Sequence, residues 1–164
     1  MKALIIYKST HRTSTEKIAR AMAESIGAKL VKAGEVTQEG LAEYELIGFG
    51  SGIYNLRHHK DILEFVDKMP SMNKNVFVFS TTGNIRDVNH KLIKEKLMEK
   101  GCKVVGEFTC FGEFSPLGFF VNLPGPLVFI GGKNKGHPDS KDLENARMFA
   151  KSMVNAATNK YAEK

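Results

Sequence analysis

The 164-residue chain predicts an α/β fold in which a parallel sheet lies between two layers of helices. Short apolar runs alternate with longer stretches of helical period from end to end. The run Val76-Phe77-Val78-Phe79 has no polar interruption, which is expected of a strand that is covered on both faces. Five such strands in a single domain, residues 1–164, favour a doubly wound, three-layer arrangement with the strand order 2-1-3-4-5.

The N-terminal half supplies three strands and two helices of this arrangement. Residues 3–7 form the first strand, and an amphipathic helix starts at Glu16 and ends at Gly27. Leu30-Val31 predicts a short second strand, and residues 46–50 predict a buried third strand. The helix after the third strand has its apolar face at Ile62, Leu63, Phe65 and Val66.

The C-terminal half continues the alternation but contains one long irregular segment. Residues 76–79 form the fourth strand, and the following helix carries Val88, Leu92, Ile93 and Leu97 before Gly101 ends it. Residues 103–111 supply the fifth strand, and Asp139 or Ser140 is expected to cap the final helix. Residues 112–136 show little periodicity, and a connection of that length is predicted to be a functional or partly mobile insertion.

Composition excludes several classes of protein. Cys102 and Cys110 are too few for a disulfide framework, and no metal-ligand spacing surrounds them, so a reducing, cytoplasmic setting is expected. The N-terminus lacks the pattern of a signal peptide, and no apolar run approaches the roughly 20 residues of a membrane span. The net charge of +6 is spread over helix faces and lacks interleaved aromatic residues. It therefore indicates a solvated surface rather than a nucleic-acid site.

A hydroxyl-rich loop joins the first strand to the first helix. Its hydroxyl-bearing residues are Ser9, Thr10, Thr13, Ser14 and Thr15. A helix N-terminus offers unpaired backbone N–H groups and the positive end of the helix dipole, so this loop predicts a phosphate site. Simple helix capping is the alternative, because Thr13 and Glu16 match a capping box. Without the Gly-Lys-Ser/Thr ending of a nucleoside-triphosphate loop, and without an acidic residue for Mg²⁺, the loop favours a phosphomonoester.

The loop after the third strand is expected at the same edge of the sheet, because ligands of doubly wound folds bind at the carboxyl ends of the strands. Its small residues Ser51 and Gly52 allow close approach of a flat ligand, and Tyr54 offers a ring to stack on it. Tyr54 could instead be an ordinary surface residue. His58 and His59 are predicted to be surface or anion-contacting residues, because adjacent side chains point apart and no third metal ligand is nearby.

The loop after the fourth strand, residues 80–84, is small and polar. Alone it indicates only a turn into a capped helix, but beside the other two loops it offers hydrogen bonds to the edge of a heteroaromatic ring. A phospho-receiver domain would need clustered acidic residues after the first and third strands. Ser9-Thr10 and Ser51-Gly52 stand there instead, so that class is excluded.

Over nearly its whole length the chain resembles the flavodoxin family. The resemblance is strongest to archaeal and anaerobic bacterial flavodoxins that open with the sequence Tyr-Lys-Ser-Thr-His, matched here by residues 7–11. Further segments that look like that branch are residues 15–19, residues 48–54 with His58-His59-Lys60, and residues 135–138. One departure is Thr13-Ser14, where the branch usually carries Gly-Asn. If that glycine serves a turn of positive φ, the β-branched Thr13 would adopt the turn with strain.

The resemblance implies non-covalent FMN and three groups of contact residues in a flavodoxin-like fold. The phosphate would be held by Ser9, Thr10, His11, Thr13, Ser14 and Thr15. One side of the isoalloxazine would be lined by Ser51, Gly52, Ile53 and Tyr54. Its pyrimidine edge would bond to Ser80, Thr81, Thr82 and Gly83. Neither a metal nor a catalytic side chain is implied, because the redox chemistry belongs to the flavin.

We therefore expect a flavoprotein that carries electrons to or from a redox partner with an acidic docking surface. The basic residues Arg57, His58, His59, Lys60 and Arg86 are expected to stabilise the reduced, anionic ring and so to favour two-electron chemistry. One alternative is an FMN-dependent oxidoreductase acting on a quinone or porphyrinogen-like substrate. The other is an interaction module without cofactor, for which Thr13-Ser14 is the support. The aromatic-rich residues 114–130 are expected either to pack at the sheet edge or to form a docking surface.

Overall fold

A computed structural model describes residues 1–10, 13–83, 90–113, 134 and 136–159. The elements follow in chain order as β1 Ala3–Lys8, α1 Ser14–Ile26, β2 Lys29–Lys32, a 3-10 turn Gln38–Glu43, β3 Leu46–Tyr54, β4 Arg57–His58, α2 Lys60–Lys68, β5 Asn75–Thr82, α3 Lys91–Glu99, β6 Lys103–Phe111 and α4 Ser140–Thr158. Of the predicted features, His11, Asn84, Arg86, Val88 and the stretch 114–130 lie outside the described residues.

The sheet is parallel and has the order β2-β1-β3-β5-β6. The two-residue β4 is set apart, because it pairs antiparallel with the end of β3. Without β4 this order is the predicted 2-1-3-4-5, so the doubly wound fold is confirmed. The register aligns Lys8 of β1, Ser51 of β3, Ser80 of β5 and Thr109 of β6 in one row across the sheet. β1 ends in this row, whereas β3 and β5 continue beyond it to Tyr54 and Thr82, so the three following loops leave the same edge of the sheet.

Alternation along β5 explains why its sequence has no polar interruption. Phe77 and Phe79 belong to the core between the sheet and helices α1 and α4. Val76 and Val78 belong to the second core, on the opposite face with α2 and α3. A strand buried on both faces removes apolar area from water at every position, which stabilises the fold by about 25 cal/mol per Å².

Two glycines in β3 are required by close approach of the neighbouring strand. A Cβ at Gly48 would lie 2.4 Å from the Phe77 ring, and one at Gly50 would lie 2.2 Å from the Phe79 ring. The large rings of β5 therefore fill the space that these two positions leave open. This packing holds β3 and β5 in the relation that sets the spacing of their loops.

The helix ends largely follow the sequence prediction. Helix α1 begins at Ser14, two residues before the predicted Glu16, and ends at Ile26, with Gly27 as its C-cap at a φ of +63°. Asp139 caps α4 in a capping box with Asp142, as expected of one of the two candidates. None of the helices within the described ranges has the length and apolarity to cross a membrane.

Candidate functional site

Three loops meet at the carboxyl edge of the sheet, and hydrogen bonds join them. The Thr10 hydroxyl of the first loop contacts the Tyr54 hydroxyl at the end of β3. The hydroxyl oxygens of Thr15 in α1 and Thr81 in β5 lie 2.8 Å apart and are buried. The first helix is thereby tied to both neighbouring strand ends, and the predicted convergence of the loops is observed.

Thr13 enters the first helix in a left-handed conformation, with φ +55° and ψ +15°. Its carbonyl accepts the first helical bond from the Lys17 N–H at 2.9 Å, but its side chain makes no capping bond. The capping-box alternative with Glu16 is therefore wrong, because a left-handed cap residue does not aim its hydroxyl at the N–H groups of the first turn. The positive φ is the conformation for which a glycine would be favoured. The exposed Thr13 hydroxyl remains available to a ligand.

The remaining hydroxyls of the loop differ in exposure. Ser14 is buried, and its oxygen accepts the Glu113 N–H at 3.1 Å, which fastens α1 to the segment after β6. Thr15 is buried against Thr81. Ser9 and Thr10 are half-buried at the loop surface. Ser14 and Thr15 thus shape the loop, while Ser9, Thr10 and Thr13 present hydroxyls at its surface.

A tight hairpin follows β3 and presents Tyr54. Tyr54 pairs with Arg57, and the two residues between them, Asn55 and Leu56, both have positive φ values of 48° and 64°. This is the conformation of a two-residue type I′ hairpin turn. The Tyr54 ring is 44% exposed and stands edge-on to the His59 ring at 5.5 Å. Tyr54 is therefore braced by His59 and remains exposed.

Helix α2 begins directly after the hairpin and anchors its second strand. The His59 Nδ1 accepts the Asp61 N–H at 3.1 Å, so His59 caps α2. Asp61 also forms an ion pair with Lys8 at 2.7 Å. That pair, with its hydrogen bond, holds the pKa of the Asp61 carboxyl below its usual range. An open cleft of about 550 Å³ is lined by the hairpin and the first turn of α2.

Ser51 and Ser80 lie side by side in the register but are fully buried. The Ser51 oxygen lies 3.0 Å from the His58 Nδ1 and accepts the His59 N–H at 2.9 Å. The Ser80 oxygen lies 2.8 Å from the His90 Nε2. Both hydroxyls therefore face the α2–α3 side of the sheet, and contact of these two residues with a ligand would have to use their backbone.

His58 and His90 form a buried pair that the sequence did not indicate. Their rings are 5.1 Å apart, and the side chains are 4% and 5% exposed. The prediction that His58 is a surface residue is wrong, because β4 turns its side chain under the strand ends while Arg57 points outward. Burial, with His90 nearby, lowers the pKa of His58 to about 3. His58 is thus neutral near pH 7, and its buried Nε2 has no hydrogen-bond partner among the described atoms.

His90 connects this pair to the surface. Its Nδ1 lies 3.0 Å from the Glu107 carboxylate, which also accepts the Lys94 ammonium at 3.1 Å. Burial lowers the pKa of His90, against the raising effect of Glu107. In the neutral ring Nδ1–H donates to Glu107, so Nε2 accepts a hydroxyl hydrogen from Ser80 or Thr109. Two buried imidazoles therefore bond to hydroxyls at two neighbouring strands.

The Flavodoxin domain family matches residues 4–113, which run from β1 to beyond β6. The chain belongs to the flavodoxin family. An uncharacterized protein of Methanocaldococcus jannaschii is 42% identical to it over 156 residues, covering 94% of this chain and 99% of that protein. A solved flavodoxin from the domain Archaea matches with a TM-score of 0.68 at 19% identity and covers 96% of this chain and 99% of its own. Flavodoxin 2 from Bacillus cereus matches with a TM-score of 0.66 at 20% identity, covering 94% and 99%. These two structures support the fold.

The charge at the carboxyl edge of this flavodoxin-family chain is smaller than the sequence suggested. His58 is neutral and buried, and burial also lowers the pKa of the half-buried His59. Lys8 is paired with Asp61. Arg57 and Lys60 remain as exposed cations that form no ion pair within the described ranges. The positive field near the hairpin therefore comes from these two side chains.

One cluster of potential metal ligands occurs among the described residues of this flavodoxin-family chain. Ligand atoms of His137, Asp139 and Asp142 lie within 4.8 Å of one another. Asp139 and Asp142 are, however, the two members of the α4 capping box, and the Asp142 carboxylate also accepts from the His137 Nδ1 at 2.6 Å. The cluster is therefore explained by the start of α4.

Proposed function

We propose that this protein binds FMN non-covalently and works as an electron carrier. The observation that best supports this function is the contact of Thr10 with Tyr54. It joins a hydroxyl-rich helix N-terminus to an exposed aromatic ring at the end of β3. A phosphomonoester and a flat ring are the two parts of FMN, and these two features suit one part each. The flavodoxin family to which the chain belongs generally binds flavin.

The residues present fit this cofactor. Thr13 leaves its hydroxyl free of any capping bond at the positive end of the α1 dipole, where an anion is stabilised. A Cβ at Gly52 would lie 2.8 Å from the Tyr54 hydroxyl, so glycine lets the Tyr54 ring pack directly against this backbone. Thr81 and Thr82 end β5 and Gly83 follows them, and backbone groups of this segment would serve the edge of the ring. The resemblance to flavodoxins is the support for assigning four further residues to the FMN site: His11, Ile53, and the backbone of Ser51 and Ser80.

The chain's own contribution would be position and charge. Bound FMN would supply the electron-accepting ring, and Tyr54 would orient it while the first loop holds its phosphate. Arg57 and Lys60 would favour the negative charge that a flavin acquires on reduction, because opposite charges attract across a short distance. The same cations suit an electron-transfer partner with an acidic surface.

Titration of the purified protein with FMN, followed by flavin fluorescence, tests the binding. Loss of the hydroxyl in Thr10→Val should weaken FMN at least tenfold, which corresponds to about 1.4 kcal/mol and is within the range of one hydrogen bond to a charged group. Riboflavin lacks the phosphate, so its affinity should not change in the variant. Thr158→Val, at the far end of α4, is the matched control.

The visible spectrum during stepwise reduction separates the remaining outcomes. A protein that binds FMN and reduces a small quinone at a useful rate by itself would favour the oxidoreductase over the electron carrier. A protein that stays colourless and does not bind added FMN would overturn the proposal in favour of an interaction module. An equal loss of FMN and riboflavin affinity in Thr10→Val would remove the phosphate assignment alone.

A further inference from the structure

The β3–β4 hairpin carries an exposed apolar residue in a strained backbone conformation. Leu56 has a φ of +64°, and 59% of its surface is exposed. A type I′ turn needs positive φ at both central positions, for which Asn followed by Gly is preferred. Asn55 fits its position, but Leu56 suffers a clash of its Cβ with the backbone that glycine would avoid. The backbone conformation of Leu56 therefore lowers the stability of the fold, and its exposed side chain contributes little stabilisation through burial.

The two positively charged side chains near Leu56 have no oppositely charged partner among the described residues. Arg57 and Lys60 are exposed and make no ion pair within residues 1–10, 13–83, 90–113 and 136–159. The nearest carboxylate along the chain, Asp61, is already paired with Lys8 at 2.7 Å. An unpaired cation on a surface is attracted to an anionic partner over roughly the Debye length, about 8 Å at physiological ionic strength.

Backbone strain in a non-glycine residue concentrates at functional sites, and an exposed apolar side chain there offers a partner area to bury. Here both occur at the same residue, beside two unpaired positive charges, and next to Tyr54. We propose that the hairpin tip, residues 54–57 together with Lys60, is the docking surface for an acidic electron-transfer protein. Leu56 is the apolar contact at its centre, and Arg57 and Lys60 are the rim that meets carboxylates of the partner. This inference rests on the proposed function, since an electron carrier needs its partner close to the flavin.

Charge complementarity decides between kinds of partner. A basic partner would be repelled by Arg57 and Lys60, and a small neutral acceptor would gain nothing from them. An acidic protein gains attraction at the rim and burial at Leu56. Electron-transfer complexes are characteristically small, so one exposed side chain with a charged rim is enough to set their orientation.

The test uses an acidic [2Fe–2S] ferredoxin as the probe and isothermal titration calorimetry as the readout. Wild-type protein should bind the ferredoxin, and the dissociation constant should rise at least tenfold between about 20 mM and 300 mM salt because the rim is screened. Arg57→Glu and Lys60→Glu should each weaken binding at least tenfold at low salt. Lys103→Glu, an exposed cation at the opposite edge of the sheet, is the matched charge control and should leave binding within twofold.

Leu56→Gly gives the sharpest result, because docking and stability should change in opposite directions. Binding of the ferredoxin should weaken at least fivefold, whereas the thermal unfolding midpoint should stay the same or rise. Met98→Ala removes another exposed apolar residue, 56% exposed on α3, and should not affect binding. If Leu56→Gly binds the ferredoxin as tightly as the wild type does, Leu56 is not part of the docking surface. If the wild type binds the basic protein cytochrome c more tightly than the ferredoxin, the proposal of an acidic partner is wrong.

Calorimetry on both the FMN-loaded and the flavin-free protein keeps this proposal separate from the proposed function. If the protein binds the ferredoxin through the hairpin but does not bind FMN, the docking surface is supported and the proposal of an FMN electron carrier is wrong. If the protein binds FMN but not the ferredoxin, the docking surface is wrong and the cofactor assignment is unaffected. The same conclusion holds if it binds FMN and the Arg57→Glu, Lys60→Glu and Leu56→Gly variants all bind the ferredoxin as the wild type does.

Discussion

The rings of His58 and His90 lie 5.1 Å apart, tilted by 46°, beneath the ends of β3 and β5. Each ring contacts the hydroxyl of a serine, Ser51 in β3 or Ser80 in β5, and these two serines are paired in the sheet. Burial lowers the pKa of both imidazoles, that of His58 to about 3, so protonation of the pair is disfavoured. A buried polar pair of this kind makes the strand ends sensitive to protonation.

Acid should destabilise the fold through His58. In the unfolded chain the His58 pKa returns to its usual 6.5, whereas in the folded chain it is about 3. Between these values the unfolded chain binds the proton and the folded chain does not. The free energy of unfolding is therefore unaffected by His58 above pH 6.5, and it decreases as the pH falls from 6.5 towards 3. Urea unfolding at several pH values measures this slope. His58→Gln should flatten it, and an unchanged slope would contradict the prediction.

Thr13→Gly should stabilise the flavin-free protein by up to about 1 kcal/mol. The gain comes from relief of the positive φ and is reduced by the greater freedom of glycine in the unfolded chain. The same variant loses a hydroxyl, so its affinity for FMN should fall while its affinity for riboflavin does not. Thermal unfolding and fluorescence titration measure the two effects. Thr13→Ser keeps the hydroxyl and should retain FMN affinity; a loss there too would contradict the role of the hydroxyl.

Gly50→Ala should destabilise the fold by about 1–3 kcal/mol, because the new Cβ would overlap the Phe79 ring. At 2.2 Å from that ring, neither strand can move without disturbing the sheet. A second substitution, Phe79→Leu, removes the overlap. The free energy of unfolding of Gly50→Ala/Phe79→Leu should therefore exceed the value expected from adding the two single effects. Strict additivity would show that the two positions do not compete for space.

Thr15→Val should cost about 1–2 kcal/mol, because it leaves the buried Thr81 hydroxyl without its partner. The two oxygens lie 2.8 Å apart and link α1 to β5. Adding Thr81→Val should recover part of the loss, since two apolar groups of matching shape replace the pair. Chemical denaturation of the single and double variants measures the coupling. A double variant less stable than either single one would contradict the assignment.

The first loop shows how far local sequence can predict a site. A buried strand followed by five hydroxyl-bearing residues and a helical pattern indicated an anion site, and the structure has a helix N-terminus there. Thr13 is expected to be strained if the glycine it replaces serves a turn of positive φ, and its φ is +55°. Sequence could not tell which hydroxyls are consumed inside the protein, because Ser14 and Thr15 find their partners at Glu113 and Thr81, far away in the chain.

The sequence by itself determined the parallel sheet, its strand order, and the loops that would meet at one edge. The elements follow from patterns within single segments, since apolar runs and helical periods are set by the burial of each element. The strand order follows from the alternation of five such strands with helices in one domain. Only the tertiary structure decided that Ser51 and Ser80 turn their hydroxyls away from that edge, that His58 is buried and neutral, and that Leu56 stands exposed in a left-handed turn. Those outcomes depend on residues from different strands meeting in space, where burial and hydrogen bonding, rather than residue type, fix the charge and direction of a side chain.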